Sequence, residues 1–133
     1  MPAGYSGTPL AKKLGLKAGM RAWFQNMPDS VRLEIGDAGF DEQGAASAGL
    51  HYAHIFVTER ADLERETAAL RQLIAPGGMI WVSWPKKASK MRTDITEDVI
   101  REVILPMGLV DVKVCAVDPV WSGLKLVIRK EHR

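Results

Sequence analysis

Short apolar runs alternate with amphipathic stretches along the chain. The runs at residues 20–24, 51–57 and 79–84 are nearly continuous in apolar side chains, which is typical of strands covered on both faces, and we term these predicted strands A, B and C. Between strands B and C, buried-type residues recur at spacings of four, three and four, as in a helix with one inward face. They are Leu63, Thr67, Leu70 and Ile74. The pattern predicts parallel strands joined by helical crossovers.

Residues that favour helix ends set the boundaries of the predicted helices. Thr8 is expected to cap a first short helix, with Pro9 at its first position and Gly15 at its end. Thr58 and Thr96 stand where caps belong in the helices that follow strands B and C. Helices are therefore expected before strand A, after strand B and after strand C.

Two stretches rich in proline and glycine interrupt this pattern. Pro28 predicts the start of a brief helix that runs through residue 35. Pro76, Gly77 and Gly78 predict a turn before strand C, in which the glycines adopt positive φ angles. Residues 36–49 have no usable periodicity, so the sequence does not decide whether they form another strand.

The last third of the chain alternates apolar and polar residues, which predicts two half-buried strands, D at residues 110–116 and E at residues 121–129. The expected inward side of strand D comprises Val110, Val112, Val114 and Ala116. A hairpin at Asp118 and Pro119 would pair the two strands. The sequence thus predicts an α/β fold, a Rossmann-like three-layer sandwich whose mostly parallel sheet has about five strands in the order A-B-C-E-D, with a C-terminal antiparallel hairpin.

Composition limits the classes of protein that the chain can represent. Its 133 residues are 47% hydrophobic and 26% charged, as expected if residues 1–133 form a single Rossmann-like domain. A net charge of +2 gives no general attraction to nucleic acid or to a membrane. The single cysteine, Cys115, excludes an internal disulfide and a cysteine-based zinc site. With no apolar run of signal or membrane-spanning length, a cytoplasmic location is expected.

Three peptides carry a family resemblance. The segments GYSGTPLAKKLG at residues 4–15, WPKKAS at residues 84–89 and WSGLK at residues 121–125 resemble, in this order, a bacterial family known as the domain of unknown function DUF3052. The resemblance spans nearly the whole chain outside residues 36–49. It implies no particular activity and no catalytic residues.

The C-terminal half also resembles class I methyltransferases that use S-adenosylmethionine. Residues 73–84 resemble their helix, Pro-Gly-Gly turn and strand, and the terminal hairpin resembles their last two strands. Those enzymes carry a glycine-rich loop after the first strand, whereas residues 25–28 contain no glycine. The acidic residue that would hold a ribose after a second strand has no clear counterpart. The sequence therefore predicts no cofactor, with S-adenosylmethionine as the less favoured possibility.

The densest basic stretch follows strand C, at the edge where open parallel sheets hold ligands. Its candidate ligand-binding residues are Lys86, Lys87, Ser89 and Lys90. Lysine ammonium groups and loop amides there could bind a phosphate or a carboxylate. The alternative is a solvated loop without a ligand.

Two other segments are candidates for the same function. Tyr5, Ser6 and Lys12 flank the start of the first helix, where free backbone amides attract anions, although a purely structural cap explains the segment as well. Trp121 could stack on a flat ligand, or it could cover the edge of the core. His51 and His54 are three residues apart in a strand and point to opposite faces, so no metal site is expected.

Two classes of function remain open. The first is a non-catalytic module that binds a small anionic ligand or a protein partner at the carboxyl edge of the sheet. The alternative is a divergent, methyltransferase-like transferase, against which stands the lack of any recognisable acid, base or nucleophile pair. Nucleic-acid binding and membrane binding are not expected.

Overall fold

The sheet has six strands. The structure is a computed structural model and describes residues 9–133. Along the chain the strands are β1 (Arg21–Gln25), β2 (Asp41–Glu42), β3 (Leu50–Phe56), β4 (Ile74–Pro85), β5 (Leu109–Ala116) and β6 (Trp121–Ile128). They lie side by side in the order β2-β1-β3-β4-β6-β5. Strands β1 to β4 pair in parallel, and β6 is antiparallel to both β4 and β5.

This topology confirms the predicted fold class. Predicted strands A, B, C, D and E correspond to β1, β3, β4, β5 and β6, and their order in the sheet is the predicted A-B-C-E-D. The additional strand β2 comes from residues 36–49, whose structure the sequence left open. It pairs only through Arg21 with Asp41 and Ala22 with Glu42, at the outer edge of β1.

In the described part of the chain, four α-helices cover the two faces of the sheet. They are α1 (Leu10–Lys13), α2 (Asp29–Ile35), α3 (Arg60–Leu73) and α4 (Glu97–Ile104). Helices α3 and α4 pack on one face and α1 and α2 pack on the other, and each pair buries its apolar side chains in a separate hydrophobic cluster. The result is the predicted three-layer arrangement. Short 3-10 turns lie at Lys87–Ser89, Leu105–Met107 and Lys130–His132.

The caps follow the sequence only in part. The Thr96 hydroxyl accepts a hydrogen bond from the Val99 amide at 3.2 Å, which confirms the predicted cap of α4. The predicted cap at Thr58 is wrong, because α3 begins one residue later and the Arg60 amide donates to Asp94 Oδ1 at 2.7 Å. A carboxylate distant in sequence thus replaces the local cap. Pro9 is itself the residue that flanks α1, and the predicted cap Thr8 lies outside the described residues.

The predicted turn at Pro76-Gly77-Gly78 lies inside β4 as a bulge, and only the predicted positive φ of its glycines is wrong. Helix α3 passes directly into β4, which runs through all three residues, and neither glycine has a positive φ. The pairing of β3 with β4 is irregular here. Leu50 is opposite Ile74 and Tyr52 is opposite Met79, so β4 has more residues than β3 between these two pairs. Gly78 serves close packing instead, because a Cβ atom there would lie 2.9 Å from both the Leu50 carbonyl oxygen and Ile74 Cγ1.

The two neighbouring glycines therefore differ in what they tolerate. We expect Gly78→Ala to lower the free energy of unfolding by about 1 to 3 kcal/mol, because the backbone of β3 has to move away from the added methyl group. A Cβ at Gly77 would meet nothing within 4 Å, so Gly77→Ala is the matched control, neutral or slightly stabilising. Urea denaturation measures both variants, and equal stabilities would contradict the packing role of Gly78.

Strand β5 does not present the predicted side to the core. Its pairing with β6 skips one residue, from Asp111 opposite Leu126 to Lys113 opposite Lys125, so Val112 lies in a bulge. An extra residue reverses which side chains point to each face. Val112 and Val114 are consequently 54% and 53% exposed, which corrects the prediction that they face inward.

Candidate functional site

The carboxyl ends of the parallel strands meet at one edge of the sheet. Strands β1, β3 and β4 run in the same direction, so the segments that follow them, beginning at Asn26, Val57 and Lys86, emerge on the same side. Open parallel sheets hold small molecules at this edge because the loops there can diverge around a ligand. This arrangement confirms that the predicted lysine loop leaves the sheet at its carboxyl edge.

The turn after β1 has the backbone shape of a glycine turn without a glycine. Asn26 has a φ of +57°, in the left-handed region. Asparagine tolerates this region better than most non-glycine residues because its short side chain can satisfy nearby backbone groups. Asn26 therefore gives this turn the backbone conformation that a glycine would adopt. Its side chain, however, remains in the space that a glycine would leave open.

A carboxylate lies at the end of β2 that the sequence did not reveal. Glu42 is the last residue of β2 and is paired with Ala22 of the adjacent β1. The Arg32 guanidinium from α2 donates to both Glu42 oxygens, each at 2.9 Å. This hydrogen bonding lowers the pKa of Glu42, so its side chain is an ionised acceptor at neutral pH. A two-residue strand has no periodicity, and only pairing with β1 identifies this position.

Arg32 also lies close to the aromatic layer beside β1. Its guanidinium carbon is 5.9 Å from the centre of the Phe24 ring, which is within cation–π range. Arg32 and Glu42 are both accessible, with 52% and 39% of their side chains exposed. Glu42 lies level with Ala22, the second residue of β1, so the pair borders β1 from the solvent side and reaches toward Phe24 through Arg32.

The predicted lysine loop is an ordered turn. Lys87–Ser89 form a 3-10 turn that closes with Lys90 at a φ of +61°. The Ser89 hydroxyl donates to the Lys86 carbonyl at 2.7 Å and accepts from the Met91 amide at 3.2 Å, so it already stabilises the turn. Lys87 and Lys90 are exposed and Lys86 is partly buried. Their binding of an anion stays a prediction.

Trp121 lies next to this loop. It pairs with Pro85 at the end of β4, and the Lys86 amide donates to the Val120 carbonyl at 2.8 Å. Its ring contacts the buried Phe56 edge-to-face, with centroids 5.3 Å apart. The partly buried indole thus covers the end of the core, and its residue lies next to the start of the lysine loop along the paired backbone.

Lys12, the other predicted ligand-binding residue within the described part of the chain, does not lie with the lysine loop and Trp121. Lys12 lines a shallow cavity of about 350 Å³ together with residues that lead into the amino ends of β1 and β2, among them Lys17 and Asp37. Lys86, Lys87 and Lys90 do not line that cavity. Tyr5 and Ser6 lie outside the described residues. The structure therefore joins Trp121 to the lysine loop and separates Lys12 from it.

A buried polar network lies beneath the same edge. His54 of β3 is fully buried, with Nδ1 2.9 Å from the Tyr52 hydroxyl and Nε2 2.6 Å from the Ser83 hydroxyl. In the neutral ring one nitrogen donates and the other accepts, and either hydroxyl can take the complementary role. The Phe56 ring stacks on the imidazole at 4.3 Å between centroids. Burial lowers the pKa of His54 from 6.5 to about 3, so the imidazole is neutral at physiological pH.

His51 and His54 occupy different environments, as their spacing predicted. His51 is exposed, and its Nδ1 accepts a hydrogen bond from the Arg21 amide at 2.9 Å. Within residues 9–133, no three histidine, cysteine or acidic side chains are grouped so that they could hold a metal ion. No helix in the same part of the chain is long and apolar enough to cross a membrane.

Comparison with known proteins identifies the fold through structure alone. No protein-family model matches the chain, and no curated protein is significantly similar to it in sequence. The likeness to DUF3052 therefore stays a prediction.

Solved structures of S-adenosylmethionine-dependent methyltransferases are similar to this chain. One from Aquifex aeolicus has a TM-score of 0.64 at 11% identity, over 90% of this chain and 88% of its own. Magnesium protoporphyrin IX methyltransferase from Synechocystis, solved with the cofactor bound, gives 0.58 at 8% identity, over 90% and 74%. Aeropyrum pernix fibrillarin, in complex with natively bound S-adenosylmethionine, gives 0.57 at 14% identity, over 93% and 70%. The chain thus has the Rossmann-like fold of S-adenosylmethionine-dependent methyltransferases.

Proposed function

We propose that this chain binds S-adenosylmethionine beside β1, between Glu42 at the end of β2 and the turn at Asn26 that follows β1, and has a methyltransferase-like role. Of the two functions that the sequence left open, the comparisons favour this one over the non-catalytic module. The observation that carries the proposal is Glu42, an ionised carboxylate at the end of the strand next to β1. It supplies the acidic side chain that the sequence resemblance lacked.

Glu42 and Asn26 fit the nucleoside part of the cofactor. The two oxygens of Glu42 have enough acceptor positions to receive hydrogen bonds from two ribose hydroxyls. Asn26 gives the chain the left-handed turn that leads from β1 into α2. When bound, the cofactor would supply a methyl group on a positively charged sulfur, which leaves as a neutral thioether when a nucleophile bonds to the methyl carbon.

The role of the protein in such a reaction is to position the reactants. In-line displacement from sulfur gains most of its rate from holding the reactants in a reactive geometry, so it does not require a nucleophilic side chain. The absence of a recognisable catalytic pair in the sequence is compatible with this chemistry. Lys86 and Lys87, with Trp121 beside them, emerge at the carboxyl edge of the sheet and are suited to hold a methyl acceptor that carries an anionic group on a flat ring.

Glu42→Gln tests the proposal. Isothermal titration with S-adenosylhomocysteine, the demethylated product, is expected to detect binding to the unaltered protein. Glu42→Gln is expected to weaken that binding about 10- to 150-fold, because hydrogen bonds to a charged group contribute about 1.5 to 3 kcal/mol.

The control for this experiment removes the same charge elsewhere. Glu34 is exposed on α2, and Glu34→Gln should bind like the unaltered protein. Failure of the unaltered protein to bind S-adenosylhomocysteine at millimolar concentration would contradict the proposal, as would equal affinities for Glu42→Gln and Glu34→Gln.

A further inference from the structure

We infer that Arg32 is an internal latch: its guanidinium occupies the Glu42 carboxylate until the ribose of a ligand displaces the guanidinium. The inference rests on the proposed function, since it assigns to Glu42 a second, competing partner within the chain. It assigns Arg32 a role that no resemblance or comparison gives it.

Arg32 occupies one acceptor position on each oxygen of the Glu42 carboxylate, on the edge that faces α2. Two guanidinium nitrogens of Arg32 donate to the two different oxygens of Glu42, both at 2.9 Å. This fork-to-fork arrangement uses the acceptor positions along the outer edge of the carboxylate. A ribose whose two hydroxyls approach the same edge of the carboxylate needs the two positions that Arg32 holds. Arg32 and a ribose therefore compete for Glu42.

The position of Arg32 in the fold places the guanidinium on the side of Glu42 that faces the end of β1. Arg32 belongs to the helix that directly follows the β1 turn, and its guanidinium both donates to Glu42 and lies 5.9 Å from the centre of the Phe24 ring. Glu42 is level with Ala22, and Phe24 lies two residues closer to the carboxyl end of β1, so the cation extends from Glu42 toward that end. A ligand that entered there would meet Arg32 before it reached the carboxylate.

The latch can open at small cost. The side chains of Arg32 and Glu42 are 52% and 39% exposed, so water can solvate both charges once they separate. Asp29 lies one turn earlier on α2 and also attracts the Arg32 charge. Residues three apart on a helix face each other, so Asp29 offers the guanidinium a second place to rest. In the latch, the bond to Glu42 is the closed position of Arg32, and the side chain turns toward Asp29 when it opens.

The latch predicts that removal of Arg32 tightens ligand binding. We expect Arg32→Met, which keeps an apolar stem on Phe24, to bind S-adenosylhomocysteine about 2- to 5-fold more tightly than the unaltered protein, the range of an exposed ion pair. The unaltered protein should also gain affinity as salt is raised, because salt screens the pair, whereas Arg32→Met should not. S-adenosylhomocysteine is the suitable probe because it has no net charge at neutral pH.

Two controls separate the latch from a general effect of charge. Arg65 forms an ion pair with Asp62 at 2.7 Å on α3, across the sheet, and Arg65→Met removes the same charge. It should leave the affinity unchanged. Adenosine and 2′,3′-dideoxyadenosine form the second control, because only adenosine has ribose hydroxyls to compete with Arg32. Arg32→Met should tighten binding of adenosine and not that of the dideoxy analogue.

The outcomes distinguish the latch from the proposed function. Tighter binding by Arg32→Met alone, limited to ligands with ribose hydroxyls, supports the latch. If the unaltered protein binds S-adenosylhomocysteine and Arg32→Met binds it equally or more weakly, the latch is overturned and the proposed function stands. If neither protein binds, both are overturned.

Discussion

The free energy of unfolding is expected to fall steadily as the pH is lowered from about 6.5 to about 3, because of His54. The imidazole is fully buried and uncharged in the folded protein, and its pKa is lowered to about 3 by desolvation. In the unfolded chain a histidine accepts a proton near pH 6.5, so in this pH range the unfolded state binds more protons than the folded state. Each pH unit then removes up to about 1.4 kcal/mol, and the total at pH 3 is on the order of 4 to 5 kcal/mol.

Two variants isolate this contribution. In urea denaturation at a series of pH values, His54→Gln should lose most of the acid slope, because glutamine keeps one donor and one acceptor but does not titrate. Ser83→Ala removes the partner of Nε2 and keeps the imidazole, so it should lower stability at every pH while the slope remains. An acid slope in His54→Gln as steep as in the unaltered protein would show that other groups cause it.

Replacement of Trp81 is expected to produce the second large effect. The side chain is fully buried in the centre of β4, and its indole N–H donates to the Leu14 carbonyl at 2.8 Å. Trp81→Ala should lower the free energy of unfolding by about 3 to 5 kcal/mol, because it leaves a large cavity and an unpaired carbonyl after α1. Trp81→Phe should cost less, since it keeps most of the apolar volume and loses the hydrogen bond.

The control for Trp81 is an apolar residue at the surface. Leu33 is 82% exposed on α2, so Leu33→Ala should change stability by no more than about 0.5 kcal/mol. Urea denaturation of the three variants gives the comparison. A loss below 1 kcal/mol for Trp81→Ala would mean that the indole does not fasten α1 to the sheet.

Trp81 and His54 both lie in the buried layer that supports the candidate site. Trp81 holds the chain that leads from α1 toward β1, and the His54 network joins β3 to β4 under Phe56. Trp121 rests on Phe56 at the start of β6. The carboxyl edge of the sheet therefore rests on a buried layer whose aromatic and polar side chains each have a specific hydrogen-bond or ring-contact partner.

The candidate site was predictable only in part. The lysine loop after β4 could be placed at the carboxyl edge because its position depends on the direction of a strongly apolar strand. Glu42 could not be found, since a two-residue strand inside a segment without periodicity carries no local signal. The same limit applies to Arg32, whose importance depends on a contact with Glu42 across the surface.

The errors have a common cause in contacts between distant parts of the chain. Thr58 has the chemistry of a cap, but Asp94 reaches the end of α3 from another loop. Gly77 and Gly78 lie in a bulge of β4 without a partner in β3, and close packing of Gly78 against Leu50, rather than a positive φ, explains the glycine there. The apolar residues of β5 alternate regularly, and a bulge against β6 then exchanges their faces.

The sequence by itself determined the class of fold, the order of five strands and the antiparallel hairpin, because these follow from the period and length of apolar runs and from the rules for connecting parallel strands. Only the tertiary structure decided the sixth strand, the Arg32–Glu42 pair and the burial of His54 between Tyr52 and Ser83. These features depend on strand register and on side chains brought together from distant positions, and local sequence patterns do not encode such distances.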